Sequence, residues 1–169
     1  MPLQTDEAPQ AVPSGRPPWT SPLNVSVGRT GTKMFEFHGW AAVSYHTHDT
    51  SFDQQEALWS RVEAYVRELP TTLVRTQRHN GVDSVIASGN CKRREDHIIQ
   101  LFHWLSDVAP GAYGLLYIRD DEDTHRGADH SNVFRVWRLC RGRLSEEDDP
   151  FLSPAIPTVE DAWDPTRND

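Results

Sequence analysis

Residues 34–70, "MFEFHGWAAVSYHTHDTSFDQQEALWSRVEAYVRELP", decide the fold, because the spacing of their apolar residues changes partway along. Phe35, Phe37, Gly39, Ala41, Val43 and Tyr45 recur every second residue. That period places them on one face of a strand, with Trp40 on the other. From residue 51 the period becomes helical: Leu58, Val62, Tyr65, Val66 and Leu69 form a stripe. Ser51 and Gln54 fit a capping box at its start, and Pro70 stops it.

The chain beyond Pro70 repeats this logic. "TLVRTQRHNGVDSVIASGN" holds two β-prone runs around Asn80-Gly81. That pair suits a two-residue hairpin turn in which both residues need positive φ. "REDHIIQLFHWLSDVAPG" carries a second helical stripe of Ile98, Leu101, Phe102, Leu105 and Val108, ended by Pro110-Gly111. "AYGLLYIRD" and "NVFRVWRLC" read as strands, and Arg141-Gly142 as a turn. The order from Met34 is β-α-β-β-α-β-β. The first six elements follow the ferredoxin-like order, and the last adds an edge strand. The expected fold is α+β: an antiparallel-rich sheet with both helices on one face.

Residues 1–33 hold six prolines (Pro2, Pro9, Pro13, Pro17, Pro18 and Pro22) and no apolar period, so they read as a disordered leader. Residues 34–169 read as one domain whose C-terminal segment, from about residue 146, is acidic and proline-containing. The whole chain has 169 residues, 17 basic and 25 acidic, for a net charge of −8. Residues 1–33 carry three basic and two acidic side chains, so the remainder has 14 against 23, or −9. Such a chain is a poor match for nucleic acid, whose phosphates need lysine and arginine, and a better match for a basic partner. It has two cysteines, Cys91 and Cys140, outside any CxxC motif. There is neither a signal-peptide pattern nor a run long enough to cross a bilayer, which points to the cytoplasm and away from the membrane.

Candidate chemistry is sparse. His46 and His48 of "HTHD" share one side of an extended chain, but a metal needs a third ligand and the spacing supplies none. His79, His97, His103, His125 and His130 show no ligand spacing either. Asp120, Asp121, Glu122 and Asp123 resemble the start of a calcium loop. Counted from Asp121, however, Arg126 stands where such a loop needs glycine and Asn132 where it needs glutamate. No nucleophile elbow or dinucleotide fingerprint is present, and "GRTGTK" at 28–33 lacks phosphate-loop spacing. Cys91 follows "SGN" and precedes three basic residues that could lower its pKa. Core packing accounts for Trp59 and Trp137, whereas Trp40 is a candidate binding anchor. No cofactor is implied.

The segment "EEDDPFLSPAIPTVED", residues 146–161, reads as neither helix nor regular strand. Its prolines restrict the chain. Phe151, Leu152 and Ile156 are expected to pin it to the domain and leave Glu146, Glu147, Asp148 and Asp149 displayed beside Asp120–Asp123.

"MFEFHGWA", "SGN", "YGLLYIRDDED", "FRVW" and "RGRLSEEDDPFLSPAIPTVED" together resemble immunity protein family seven of bacterial polymorphic toxin systems, from Met34 to about Asp161. The resemblance implies an α+β protein without enzyme activity that binds and neutralises a cognate toxin. The chain's acidity then suggests a toxin with a basic substrate groove, met by Asp120, Asp121, Glu122, Asp123, Glu146, Glu147, Asp148, Asp149 and Trp40. Two other readings stay open on the residues alone: a small enzyme using the carboxylates of 120–123 with a metal, and a non-catalytic adaptor.

The leader composition yields a direct expectation. A chain beginning at Met34 should fold, and protect cells from the toxin, as well as the full chain. Thermal melting and a co-expression survival assay check it, and lost protection with an unchanged melt would refute it.

Overall fold

A computed structural model describes residues 33–124, 127–155 and 166 of the chain. The expectations for the leader up to residue 32 and for residues 156–161 fall outside these residues. Eight elements follow one another: β1 (Phe35–Val43), α1 (Phe52–Glu68), β2 (Val74–His79), β3 (Val82–Cys91), α2 (Asp96–Val108), β4 (Tyr113–Asp120), β5 (Arg135–Cys140) and β6 (Arg143–Asp148). They build a six-stranded sheet in the order β2-β3-β1-β4-β5-β6, and every neighbouring pair is antiparallel. The first four strands in that order are the ferredoxin-like sheet. Two strands extend it rather than one. The sequence missed β6, taking the residues from 146 as irregular, because Glu146–Asp148 carry no apolar signal on a strand that is itself an edge.

Strand β1 is central, paired with β3 on one side and β4 on the other. Its alternation sorts the whole sheet. Phe35, Phe37, Ala41 and Val43 are buried. In register beside them lie Val85 and Ala87 of β3, Leu116 and Ile118 of β4 and, further out, Trp137 and Leu139 of β5 and Leu144 of β6. Both helices pack on this face: α1 with Leu58, Trp59, Val62 and Val66, and α2 with Ile98, Ile99, Leu101, Phe102 and Leu105. Each large side chain fully withdrawn from water here contributes about 1.5–3 kcal/mol. Val108 lies at the margin of the stripe, partly buried. The stacked rings of Tyr65 and Trp104, 4.3 Å between centroids, join the two helices.

Local chemistry sets the boundaries. The Ser51 side chain accepts from the Gln54 N–H, while the Gln54 side chain accepts from the Ser51 N–H, which completes the expected capping box. Two tight hairpins use positive φ at both central residues: Asn80 (49°) with Gly81 (76°), and Arg141 (52°) with Gly142 (68°). Close approach of β4 to β1 requires glycine at 114, where a Cβ would stand 2.1 Å from the Trp40 carbonyl oxygen.

Asp83, at the start of β3, ties the first helix to the sheet. Its buried carboxylate accepts from Arg78 through both Nε and Nη2, the latter at 3.0 Å, and from Gln55 Nε2 at 2.8 Å. Gln55 also donates to the Val43 carbonyl at 3.1 Å. Burial pushes the Asp83 pKa up, but the hydrogen bonds from Arg78 and Gln55 outweigh it and hold the carboxyl below its ordinary value.

Two outcomes follow. Gly81→Val should cost about 1–3 kcal/mol, because a β-branched residue resists positive φ. An unchanged thermal midpoint would count against the hairpin's role. Asp83→Asn should lower stability at pH 7 by about 1–3 kcal/mol. A depressed native pKa stabilises above the unfolded value, near 4, and loses that contribution as pH falls through the native one. The gap between wild type and variant in chemical denaturation should therefore shrink below about pH 4.

Candidate functional site

The two acidic runs converge. In the sheet register Asp120 lies opposite Phe35, at the end where β1 begins, and Asp148 and Glu146 lie opposite Arg135 and Trp137. Asp120, Asp123 and Glu146 line one cleft with Arg94 and Arg135, floored by Ile99, Ile118 and Trp137. Residues more than twenty positions apart in sequence thus form one acidic end of the domain.

Most of these acids have a cationic partner. Arg135 is buried in its cross-strand position and holds Glu146 at 3.0 Å and Asp148 at 3.3 Å. Arg138 donates to Glu147 at 2.7 Å, and Ser145 donates to the same carboxylate at 2.9 Å. Those hydrogen bonds hold Glu147 below the usual carboxylate range. Arg94 bridges Asp120 at 3.3 Å and Asp96 at 2.7 Å, and Lys33 meets Glu122 at 2.6 Å. Among the ion pairs of the described residues, four cationic side chains meet Asp120, Glu122, Glu146, Glu147 and Asp148, fewer than the carboxylates gathered at this end. Glu122 and Asp148 project furthest, with side chains 55% and 88% exposed.

The segment after β6 is held differently from expectation. Phe151 is 81% exposed and Leu152 52%, so neither pins it. Polar contacts do that work. Asp149 accepts from the N–H groups of Phe151, at 3.1 Å, and Leu152. Ser153 Oγ accepts from the Phe134 N–H at 2.8 Å, and the Ala155 N–H donates to the Asn132 carbonyl at 3.0 Å. Burial pushes Asp149 up, but the donors of Phe151, Leu152 and Ser153 outweigh it and hold it below its ordinary value. Ile156 lies outside the described residues.

Trp40 stands apart from the acids. It faces away from the helices, between Ile86 and Leu115 in register, and is 45% exposed. Tyr113 meets it edge-on at 5.8 Å between centroids and is itself exposed. The acidic end and Trp40 therefore do not form one site: Asp120 and Glu146 lie on the helix side, with Phe35 and Trp137. Sequence reasoning missed Tyr113. The signal was present in the period of β4, which puts Tyr113, Leu115 and Tyr117 on the face of Trp40 once β1 and β4 are paired. Trp59 is buried and Trp137 partly so against the core, as assigned.

Cys91 and the 46–48 histidines are accounted for locally, and His125 lies outside the described residues. The Cys91 pKa is raised, first by burial and then by Glu95, so the neighbouring basic residues do not activate the thiol. His46 Nδ1 accepts from the His48 N–H at 3.3 Å, with the two rings 5.9 Å apart. Among the described residues no group of three or more His, Cys, Asp or Glu converges as metal ligands would. No helix among them is long and apolar enough to cross a membrane.

No curated protein and no solved structure matches the chain significantly. The sequence profile of Immunity protein 7 matches residues 34–161, a span that opens one residue before β1 and encloses all eight elements. On that match, the domain assembled around β1 belongs to the immunity protein 7 family.

Proposed function

We propose that this chain is a cytoplasmic immunity protein that binds the toxin domain of a polymorphic toxin system and neutralises it by occupancy, turning nothing over itself. The family match across every structural element carries this reading. The geometry supports it over carboxylate-and-metal chemistry, because Asp120 and Glu122 are engaged by Arg94 and Lys33. The partner is a basic toxin surface, and no nucleic acid, membrane or cofactor is needed.

The acidic end acts on the rate of encounter. Its charge spreads over the ends of β4 and β6 and the segments that follow each. A field of that kind attracts a basic groove over about 8 Å at physiological salt and fades as salt rises. The residues of this proposed surface are Asp120–Asp123 and Glu146–Asp149, and the projecting Glu122 and Asp148 are the best placed to meet the toxin first. Glu146 has a second duty: removing its charge weakens the compensation of a buried guanidinium.

The association rate with the inactivated toxin domain, measured at low and high salt, tests this division. The double variant Glu122→Gln/Asp148→Asn should associate roughly three- to tenfold more slowly at low salt, and the gap should close at high salt. Glu146→Gln should instead lower the melting temperature. A double variant that associates at the wild-type rate at low salt would remove the acidic end from the interface.

A further inference from the structure

The helix-free face of the sheet carries a second pattern. Of the large apolar side chains that stay exposed, Trp40, Tyr113 and Val82 lie on it by register, and Phe52, the first residue of α1, adjoins Val82 and Tyr113 at the end of the sheet. Phe52, Val82 and Tyr113 line a hollow with Ala42, His48 and Asp49, and Trp40 braces Tyr113 edge-on at its rim. On the other flank of Tyr113, Cys140 lies opposite it in β5, and Arg143 lies opposite Cys140 in β6. By register Arg143 therefore lies two strand spacings, about 10 Å, from Tyr113, and the cleft it lines also holds Arg138 and Arg141. Arg138 has Glu147, whereas Arg141 and Arg143 are exposed and have no carboxylate partner among the described residues.

Trp, Tyr and Arg are the residues enriched at the energetic centres of protein interfaces, and lysine and carboxylates are depleted there. Here that composition sits on a molecule of net charge −8. Charge complementarity fixes the occupant's character. A partner that only mirrored the acidic end would be repelled by these guanidiniums. A fitting one brings an apolar side chain for the hollow and, on the far side of Tyr113, carboxylates for the arginines.

We propose that this face, centred on Trp40 and Tyr113, is the affinity-determining docking surface for the toxin domain. The toxin seats an apolar side chain between Phe52, Val82 and Tyr113 and sets carboxylates on Arg141 and Arg143. The inference rests on the immunity reading and adds to it the place and polarity of the main contact. The acidic end governs how fast the complex forms, and this face governs how long it lasts.

Equilibrium binding of the toxin domain from the adjacent gene, with its activity abolished, tests it. Wild type, Trp40→Ala and Arg141→Glu/Arg143→Glu are compared, each with a thermal melt to verify the fold. All three side chains are exposed, so the fold should persist. Trp40→Ala should weaken binding by roughly 30-fold or more, chiefly through faster dissociation. The arginine reversal should weaken it by roughly tenfold or more, with a larger loss at low salt. Two folded variants that bind within about threefold of wild type, the level of a near-neutral contact, would overturn the surface while leaving the immunity reading intact. Wild type that neither binds the toxin nor protects against it would overturn both. A wild-type dimer that Trp40→Ala dissolves, with toxin binding unchanged, would show that a second copy occupies the face and would likewise overturn the proposal.

Discussion

The structure depends on one strand. β1 has a hydrogen-bonded neighbour on each side, so its backbone is committed along its length and its side chains can go only up or down. A one-residue slip would send Phe35 and Phe37 to the helix-free face and bring Glu36 and His38 into the core. Two close approaches narrow the choice further. A Cβ at Gly39 would fall 2.9 Å from the Leu115 carbonyl, and one at Gly114 would meet the Trp40 carbonyl. The register of β1 against β4 is thus set by volume as well as by hydrophobicity. Every later placement follows from it, including that of Tyr113 beside Trp40 and of Asp120 beside Arg94.

Strand alternation also explains how consecutive acids are tolerated near the end of the domain. Like charges side by side repel, but in β6 they do not point the same way. Glu146 and Asp148 turn to the helix side, where the buried Arg135 takes both, and Glu147 turns to the opposite face and meets Arg138. Asp149, beyond the strand, spends its charge on backbone N–H groups. A buried guanidinium is costly without compensation, so Arg135 and the carboxylates need each other. Arg119 and Glu36 repeat the arrangement on the opposite face, with Nη2 to Oε2 at 2.9 Å.

These pairings mark where the sequence stops being legible. The elements were readable because each has a strong local signal: the period of β1, the Ser51–Gln54 box and the Asn80-Gly81 turn. The convergence of the two acidic runs was also visible, since a strand order placing β4 beside β5 brings their ends together. Strand β6 was not visible, because a polar edge strand looks like a loop when its partners are unknown. Nor was the neutralisation of the acids. Arg94, Arg135 and Arg138 come from three different segments, and nothing in their spacing assigns each to its carboxylate. Phe151 and Leu152 misled for a related reason: apolar residues near prolines suggest anchors, but the anchoring here is done by Ser153, Ala155 and Asp149.

Net charge therefore says less about this protein's contacts than its magnitude suggests. A total of −8 describes the long-range field and so the encounter with a partner. It does not describe the few square nanometres that a partner covers, because within that range each carboxylate counts only if no arginine already holds it. By that measure the acidic end retains a partial excess, whereas Arg141 and Arg143 keep their full charge on the face that also exposes Trp40 and Tyr113. Contacts at such a distance are desolvated, and a desolvated guanidinium without a carboxylate opposes binding. In the proposed docking, the sign of the partner at closest contact is consequently opposite to the sign that the whole-chain charge selects at long range.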